Sequence, residues 1–297
     1  MWDIIIIGAG PAGLTAALYA LRANKKVLVL EAKTYGGQIL NASSVENYPG
    51  VPCISGFDFA QNLYNQVNEL GCEIKYETVI RVEENKTVHT EKNSYQAKAV
   101  IIATGAENRK LNIERETELV GKGVSYCATC DGNFYKNKIV AIVGGGNTAL
   151  KDAMYLSNIA SKVYLIHRRD SFRGEKKSLS ELKVKDNVEF ILNANVTHLN
   201  GEKQLESIIV KNDNDETSEI KVDGIFIAVG QDPRNEIFDN IVELDKLGYI
   251  ITENEVHTKI KGIYVAGDTR VKTLRQLTTA VSDGSIAATT AIKEMEG

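Results

Sequence analysis

The sequence lacks the features that would assign it to a membrane or to nucleic acid. No apolar run approaches the roughly 18 residues that a membrane-spanning helix requires, and the start, Met1-Trp2-Asp3, lacks the basic head of a signal peptide. The 35 basic and 39 acidic residues give a net charge of -4, so no excess of positive charge favours nucleic acid as a partner. We therefore expect a soluble, cytoplasmic protein.

Cysteine is also scarce, and four cysteines in 297 residues argue against a structural disulfide framework. Two of them, Cys127 and Cys130, flank a two-residue spacer and are followed directly by Asp131. That spacing can close a small disulfide ring, or it can place both sulfurs near a helix start, where the dipole favours a thiolate. The pair is therefore predicted to be catalytic or metal-binding. The scattered histidines offer no second pair with matching spacing, which disfavours zinc, and Cys53 and Cys72 are interpreted as packing or surface residues.

The first turn rich in glycine has the surroundings of a dinucleotide site. An apolar run from Asp3 to Ile7 predicts a buried parallel strand, Leu14 to Arg22 predicts a helix, and Val27 to Leu30 predicts the next strand. The turn between the first strand and the helix reads GxGxxG, and an acid ends the second strand. Such a turn holds a pyrophosphate at the helix N-terminus, and the acid accepts hydrogen bonds from ribose hydroxyls. The predicted contacts are Gly8, Gly10, Pro11, Ala12, Gly13 and Glu31.

The second half of the chain repeats this plan, as expected for a length that exceeds one core and favours two domains. Lys138 to Val143 predicts a strand, Leu150 to Asn158 a helix and Val163 to Ile166 another strand, and the turn before the helix reads GxGxxA. Ile225 to Gly230 predicts a later buried strand. This internal repeat predicts a second dinucleotide, with contacts from Gly144, Gly146, Asn147, Thr148 and Ala149.

The second site differs from the first at the end of its second strand. No acid stands there; the sequence gives His167, Arg168, Arg169 and, four residues later, Arg173. Guanidinium groups make charge-assisted, often bidentate bonds to a phosphate, whereas an acid would repel the 2′-phosphate of NADP. The second site is therefore predicted to prefer NADPH to NADH, and the first to take a ribose without that phosphate. A solvated basic turn is the alternative.

Taken in order, these motifs closely resemble those of the bacterial, low-molecular-weight, NADPH-dependent thioredoxin reductases, class II of the pyridine nucleotide-disulfide oxidoreductases. The matching motifs are Gly8–Gly13, Cys127–Asp131, Gly144–Ala149, His167–Arg169 with Arg173, and Gly267-Asp268. The resemblance covers nearly the whole chain. It implies an α/β fold with two Rossmann-like, three-layer ββα domains, in which an NADPH domain (residues 114–238) is inserted into an FAD domain (residues 1–113 and 239–297). It also implies a homodimer.

The resemblance adds FAD contacts that periodicity alone does not reveal. They lie in a long loop, at the end of a buried strand and in the last fifth of the chain. By similarity to the family these contacts are Gly37, Gln38, Asn47, Ala103, Thr104, Gly105, Gly267, Asp268, Arg275, Gln276 and Ala280. The chain departs from the family at Lys151-Asp152, where relatives often carry two acids, and near Ile113, where a Pro-Gly pair is missing.

The activity implied by the resemblance is reduction of thioredoxin. Electrons would pass from NADPH through FAD to a Cys127–Cys130 disulfide, with Cys130 facing the flavin and Cys127 attacking the partner. Asp131 would act as general acid/base, although a simple capping role is the alternative. Because the nicotinamide and the disulfide both need the flavin, the family implies a rotation of the inserted domain, with hinges near residues 112–118 and 231–242.

Other functions stay open at this point. The partner could be a different redox carrier, such as a glutaredoxin-like or peroxidase-linked domain, because such partners share the CxxC chemistry. Ferredoxin could replace NADPH as the electron donor, although the two dinucleotide motifs are intact and disfavour it. A sensor that binds dinucleotides without catalysis would have no need of Cys127 and Cys130.

Overall fold

A computed structural model describes residues 1–42 and 44–297. The chain forms two compact units: the first combines Met1–Glu107 with Asp232–Gly297, and the second is Asn108–Gln231. The units thus divide after residues 107 and 231, a few residues before the domain boundaries expected after residues 113 and 238. In the part of the chain that the structure describes, no helix combines the length and apolar character needed to cross a membrane.

The elements within the described residues follow an α/β order. The strands of the first stretch are β1 (Trp2–Ile7), β2 (Val27–Glu31), β3 (Glu73–Tyr76), β4 (Val79–Val82), β5 (Thr87–Thr90), β6 (Ser94–Ile102) and β7 (Glu107–Asn108). Those that follow are β8 (Val124–Ser125), β9 (Ile139–Val143), β10 (Lys162–His167), β11 (Val188–Leu192), β12 (Ala194–Asn200), β13 (Ser207–Asn212), β14 (Thr217–Lys221), β15 (Gly224–Ile227) and β16 (Gln231–Asp232). The last are β17 (Glu243–Leu244), β18 (Ile250–Ile251) and β19 (Ile263–Val265). The α-helices are α1 (Pro11–Arg22), α2 (Gly56–Glu69), α3 (Ala128–Asp131), α4 (Asn147–Ser157), α5 (Lys176–Lys183) and α6 (Leu277–Glu296).

The main sheet of the first unit has the strand order β3-β2-β1-β6-β5-β4, and β19 also pairs with β6. Strand β1 lies between β2 and β6 and is parallel to both, which confirms the predicted buried strand. Its side chains alternate between two cores, because successive residues of a strand face opposite sides. Ile4 and Ile6 pack on the face that carries α1 and α6, whereas Ile5 and Ile7 pack on the other face.

Alternating residues from Glu73 to Ala97 predict small antiparallel strands, and this prediction is only partly correct. Strands β4, β5 and β6 pair antiparallel, but β3 pairs parallel with β2. The reason is the connection: α2 lies between β2 and β3, and a crossover through a helix returns the chain in the same direction.

The second unit repeats the architecture on a smaller scale. Its main sheet has the order β11-β10-β9-β15-β8, with every pair parallel. An antiparallel sheet, β12-β13-β14, packs over one side, and α4 and α5 lie on the other. The predicted α/β class with two dinucleotide-binding units is therefore confirmed. Helix α4 begins at Asn147, earlier than the predicted start at Leu150, because the glycine turn itself caps the helix.

Candidate redox and dinucleotide sites

The two cysteines of the CxxC motif are joined in a disulfide, with their Cα atoms 5.3 Å apart. Strand β8 ends at Ser125, and the single-turn helix α3 begins directly after Cys127. The turn is closed by a backbone hydrogen bond in which Asp131 N–H donates to Cys127 O over 3.1 Å. The predicted small disulfide ring is therefore formed. Among the described residues, no group of three or more His, Cys, Asp or Glu side chains is arranged to hold a metal.

The carboxyl group of Asp131 is held by a serine at the end of strand β8. Ser125 Oγ donates to Asp131 Oδ2 over 2.6 Å and accepts the N–H of Cys127 over 3.1 Å. Burial raises the pKa of Asp131, and the hydrogen bond from Ser125 opposes that rise. A carboxyl group with a raised pKa keeps its proton to a higher pH than an ordinary aspartic acid does, which suits a role in proton transfer.

The residue before Cys127 is anchored by a buried acid that sequence reasoning missed. Glu116 is only 2% exposed, and its carboxylate accepts the backbone N–H groups of Leu111 and Asn112 over 3.1 and 2.8 Å. The Tyr126 hydroxyl donates to the same carboxylate over 2.7 Å. Burial, followed by the charge on Glu116, raises the pKa of Tyr126. Tyr126 thus ties the start of the redox turn to the loop around residue 112.

In the first unit, the glycine turn lies between β1 and α1 as predicted. A Cβ on Gly13 would lie 1.9 Å from the carbonyl oxygen of Gly8, so the crossing of turn and helix requires glycine there. Glu31, at the end of β2, accepts Ala9 N–H through Oε2 and Lys33 N–H through Oε1, each over 2.8 Å. These bonds hold the carboxylate beside the turn, where the second lone pair of each oxygen can still accept a hydroxyl.

The residues that the family resemblance added converge on the same turn. A Cβ on Gly8 would lie 2.4 Å from the carbonyl oxygen of Ala103, and a Cβ on Gly37 would lie 3.3 Å from Gly10 Cα. A Cβ on Gly267, at φ +81°, would lie 2.8 Å from the Cβ of Ala12. Three distant stretches therefore meet at the N-terminus of α1. The other residues of this set lie in the 3-10 helix 37–41 (Gln38), after β6 (Thr104, Gly105) and at the start of α6 (Gln276, Ala280), and Pro11 of the first turn lies at the start of α1.

Two hydrogen-bonding contacts join residues of this set to partners that are distant in the sequence. The side-chain amide of Asn47 donates to Gln276 Oε1 over 3.0 Å, and the hydroxyls of Thr104 and Thr269 lie 3.0 Å apart. The Arg275 guanidinium lies 3.9 Å from the centre of the Tyr249 ring.

Asp268 has a buried acceptor that no described residue satisfies. Its Oδ1 atom is inaccessible and has no hydrogen-bond partner within residues 1–42 and 44–297. Burial raises the pKa of this carboxyl, while the charges of Lys272 and Arg275 act to lower it. A buried acceptor is costly when unpaired, so this atom fits a ligand that brings a hydroxyl donor.

The loop that carries Asp268 is fixed by a second buried acid, Asp283 on α6. Its Oδ2 accepts the N–H of Gly267 over 3.0 Å and the ammonium group of Lys272 over 2.8 Å. Arg270 adds a two-point ion pair, from Nε to Oδ2 over 2.9 Å and from Nη2 to Oδ1 over 3.0 Å. Sequence reasoning missed Asp283, because nothing in a helical stretch marks the loop to which a side chain will bind.

In the second unit, the GxGxxA turn lies between β9 and α4. Gly144 approaches the neighbouring strand so closely that a Cβ would lie 2.4 Å from the carbonyl oxygen of Ala228. The loop after β10 returns to this turn, with Arg173 N–H donating to Gly145 O over 2.9 Å. Asn147 Oδ1 accepts the N–H of Glu175 over 2.7 Å and holds the same loop. Thr148 and Ala149 follow in the first turn of α4, and Ala149 is fully buried.

The basic residues of this loop divide into two kinds. Arg168, Arg169 and Arg173 are exposed and leave three guanidinium groups accessible on one loop. His167 instead is 5% exposed and lies under Gly145, whose Cβ would be 2.1 Å from its Cε1 atom. Its ring stacks on Phe172 at 5.1 Å. Burial, and then the three arginines, lower the pKa of His167, so the positive charge of the loop comes from arginine alone. A role for His167 as a cofactor ligand stays a prediction.

Comparison with known protein families assigns the chain to one of them. The sequence profile of the pyridine nucleotide-disulphide oxidoreductases matches residues 2–284, and the chain belongs to that family. It is therefore an oxidoreductase of a class that binds a flavin and a pyridine nucleotide, and the resemblance drawn from the sequence is confirmed.

The relatives narrow the class further. The chain is 43% identical over 293 residues to the thioredoxin reductase of Treponema pallidum, covering 97% of this chain and 95% of that one. It is 42% identical over 300 residues to a 34.2 kDa protein in the rubredoxin operon of Clostridium pasteurianum, covering 99% and 97%. The crystal structure of thioredoxin reductase from Streptococcus pyogenes has a TM-score of 0.95 and 40% identity, covering 100% of this chain and 98% of that one.

Proposed function

We propose that this protein is a thioredoxin-disulfide reductase that takes electrons from NADPH through FAD and the Cys127–Cys130 disulfide. The observation that carries the proposal is the formed disulfide, followed directly by a partly buried acid and contained in the same unit as a dinucleotide turn flanked by arginines. Relatives of full length that are named thioredoxin reductases support it.

The first unit fits FAD by the chemistry of its residues. The N–H groups at the start of α1 suit a pyrophosphate, and the Glu31 carboxylate suits ribose hydroxyls. The unpaired Oδ1 of Asp268 suits a hydroxyl of the ribityl chain. When bound, FAD accepts two electrons from a nicotinamide and passes them to a disulfide.

The second unit would bind NADPH at its GxGxxA turn. Arg168, Arg169 and Arg173 are exposed on a loop that hydrogen bonds to this turn, which suits a 2′-phosphate. The uncharged His167 would support the loop from below rather than contribute charge.

The dithiol then performs the exchange. Two electrons and two protons convert the Cys127–Cys130 disulfide to two thiols. Cys127, as thiolate, attacks one sulfur of oxidised thioredoxin and forms a mixed disulfide, and Cys130 attacks Cys127 to release the second thiolate of the partner. Asp131 gives a proton to a departing thiolate and recovers one from the Cys130 thiol as the Cys127–Cys130 disulfide forms again.

The remaining assignments belong to the same proposal. By similarity to the family, residues 1–113 and 239–297 form the FAD domain and residues 114–238 the NADPH domain, with rotation between them during turnover. We also expect a cytoplasmic homodimer.

The test is NADPH oxidation by the FAD-loaded protein with oxidised thioredoxin. Turnover is expected with NADPH, little with NADH and none in Cys130→Ser. Cys53→Ser, which removes an exposed free cysteine, is the matched control and should retain activity. If NADPH bleaches the flavin but thioredoxin stays oxidised, the partner is a different redox carrier. If NADPH leaves the flavin oxidised, the assignment of the nucleotide is wrong and ferredoxin becomes the donor to test.

A further inference from the structure

Ser125 lies beside the CxxC turn, although the dithiol exchange itself gives this residue no role. The residue is 3% exposed at the end of β8, and its hydroxyl lies between the backbone of Cys127 and the carboxyl of Asp131. It donates to Asp131 Oδ2 over 2.6 Å and accepts Cys127 N–H over 3.1 Å. A second acceptor, the carbonyl oxygen of Cys127, lies 3.4 Å away.

One hydroxyl hydrogen and two acceptors allow two arrangements without movement of any heavy atom. When Asp131 is ionised, Ser125 donates to Oδ2, as the short distance indicates. When Asp131 carries a proton on Oδ2, that proton can be donated to Ser125 Oγ, and the serine hydrogen turns toward Cys127 O. The serine thus keeps a hydrogen bond to Oδ2 of the partly buried carboxyl in both protonation states.

We propose that Ser125 is a positioning residue for proton transfer, holding the Asp131 carboxyl at the Cys127–Cys130 pair in its neutral and its ionised form. The inference rests on the proposed dithiol chemistry. In the exchange, Asp131 loses its proton to a departing thiolate, and the Ser125 hydrogen returns to Oδ2 to stabilise the new carboxylate. When the dithiol is reoxidised, its released proton goes back to Asp131, so protons balance over the cycle.

Other titratable groups pack around this turn. Tyr135 follows α3, and its pKa is raised to about 12 by burial, with smaller effects from Asp131 and Asp223. Lys138 lies 5.6 Å above the Tyr135 ring. Helix α4 packs against α3 and carries Asp152, whose pKa burial raises to about 7. Asp152 is therefore the group whose titration must be separated from that of Asp131.

The test measures alkylation of the reduced dithiol against pH. The flavin-loaded protein is reduced with dithiothreitol and treated with iodoacetamide from pH 5 to 9, and labelling of Cys127 and Cys130 is read by mass spectrometry. We expect the alkylation rate to change with pH over the range in which Asp131 titrates, and we call this part of the profile the Asp131 limb. The limb should be absent in Asp131→Asn. In Ser125→Ala this limb moves about one unit to higher pH, a roughly tenfold change in proton affinity, because the carboxylate has lost a charge-assisted hydrogen bond.

The double variant decides the role of Ser125. In an Asp131→Asn background, Ser125→Ala should cause no further change in the pH profile of alkylation. An equal effect of Ser125→Ala in both backgrounds would show that Ser125 acts only on the backbone, and would overturn the proposal. Absence of any Asp131 limb in the original protein would also overturn it. Asp152→Asn should retain the limb, and Ser125→Thr, which keeps the hydroxyl, should retain its position.

A matched control exists in the same unit. Ser207 is buried and donates to Glu219 in the sheet of β12, β13 and β14, so Ser207→Ala removes the same kind of bond and should leave the profile unchanged. Since the assay uses neither NADPH nor thioredoxin, it can succeed even if the proposed electron donor or partner is wrong.

Discussion

Asp283 and Arg270 form a two-point ion pair inside the first unit, with side chains 6% and 15% exposed. Lys272, also 6% exposed, shares the same carboxylate. The pKa of Asp283 is lowered by these two cations although burial acts in the opposite direction. One helical acid therefore offsets part of the positive charge that this loop concentrates beside Asp268.

Asp283→Asn should destabilise the protein. Two buried cations lose their anion, and breaking a buried pair from one side costs about 3–5 kcal/mol. Denaturant unfolding should report this loss, and flavin fluorescence should report weaker FAD binding, because the loop holding Asp268 loosens. Asp215→Asn, which breaks an exposed i,i+4 pair with Lys211, should leave the free energy of unfolding nearly unchanged, because solvent screens an exposed pair. Equal effects in the two variants would contradict the assigned role.

Tyr126→Phe should also destabilise the second unit. It removes the hydroxyl that donates to buried Glu116, and a buried acceptor left with one bond fewer costs about 1–3 kcal/mol. Unfolding of the purified protein measures the loss. Tyr19→Phe alters a tyrosine that is 47% exposed and should be neutral; a neutral Tyr126→Phe would mean that the hydroxyl contributes nothing.

Arg168→Gln combined with Arg169→Gln should impair use of NADPH specifically. Each charge-assisted bond to a phosphate contributes roughly 1.5–3 kcal/mol, so KM for NADPH should rise at least tenfold. KM for NADH should stay the same, because NADH has no 2′-phosphate. Lys176→Gln, on the exposed surface of α5, is the control for a general loss of charge. A parallel rise in both KM values would refute the assignment of this loop.

The pair of His257 and Glu294 should give a small stability contribution that depends on pH. Nε2 of His257 lies 2.8 Å from Glu294, which raises the histidine pKa above 6.5 and lowers the glutamate pKa below 4.5. The histidine contribution is fully present below pH 6.5 and is lost as the pH rises through the raised pKa. The glutamate contribution is present above pH 4.5 and is lost as the pH falls through the lowered pKa.

Thermal unfolding of His257→Gln measures this contribution. Its deficit relative to the original protein should be largest between pH 4.5 and 6.5 and should stay under about 1 kcal/mol, because both side chains are about one-third exposed. His198→Gln, at a histidine that contacts a threonine hydroxyl, is the control for the general effect of the substitution. A deficit that is independent of pH would indicate a packing effect only.

The sequence alone was sufficient to predict those parts of the site whose residues lie close together in the chain. Glu31 lies beside the glycine turn because strand, turn, helix, strand and acid follow each other within 30 residues, and the backbone alone brings them together. The spacing of Cys127 and Cys130 allowed the disulfide ring for the same reason, and resemblance to the family predicted it. Neither needed knowledge of a distant segment.

Contacts over long distances were not predictable from local pattern. Gly37 and Gly267 reach the first turn only through tertiary packing, so resemblance to a family found them and periodicity did not. Ser125 and Glu116 look like ordinary polar residues, because their partners lie six and ten residues away with no fixed spacing. His167 was grouped with the arginines, but the direction of a side chain at the end of a strand places it under Gly145.

The close packing of α6 on α1 constrains the order in which the newly made chain can fold. A Cβ on Gly284 would lie 2.2 Å from the carbonyl oxygen of Ala12, so the two helices meet almost backbone to backbone. Residues 108–231 leave the ribosome as one continuous stretch and can complete their core, whereas residues 1–107 must wait for residues 232–297. During that delay the part of α1 that packs on α6 stays uncovered. The nascent first unit is thus exposed to aggregation and to chaperones for as long as translation of the inserted unit lasts.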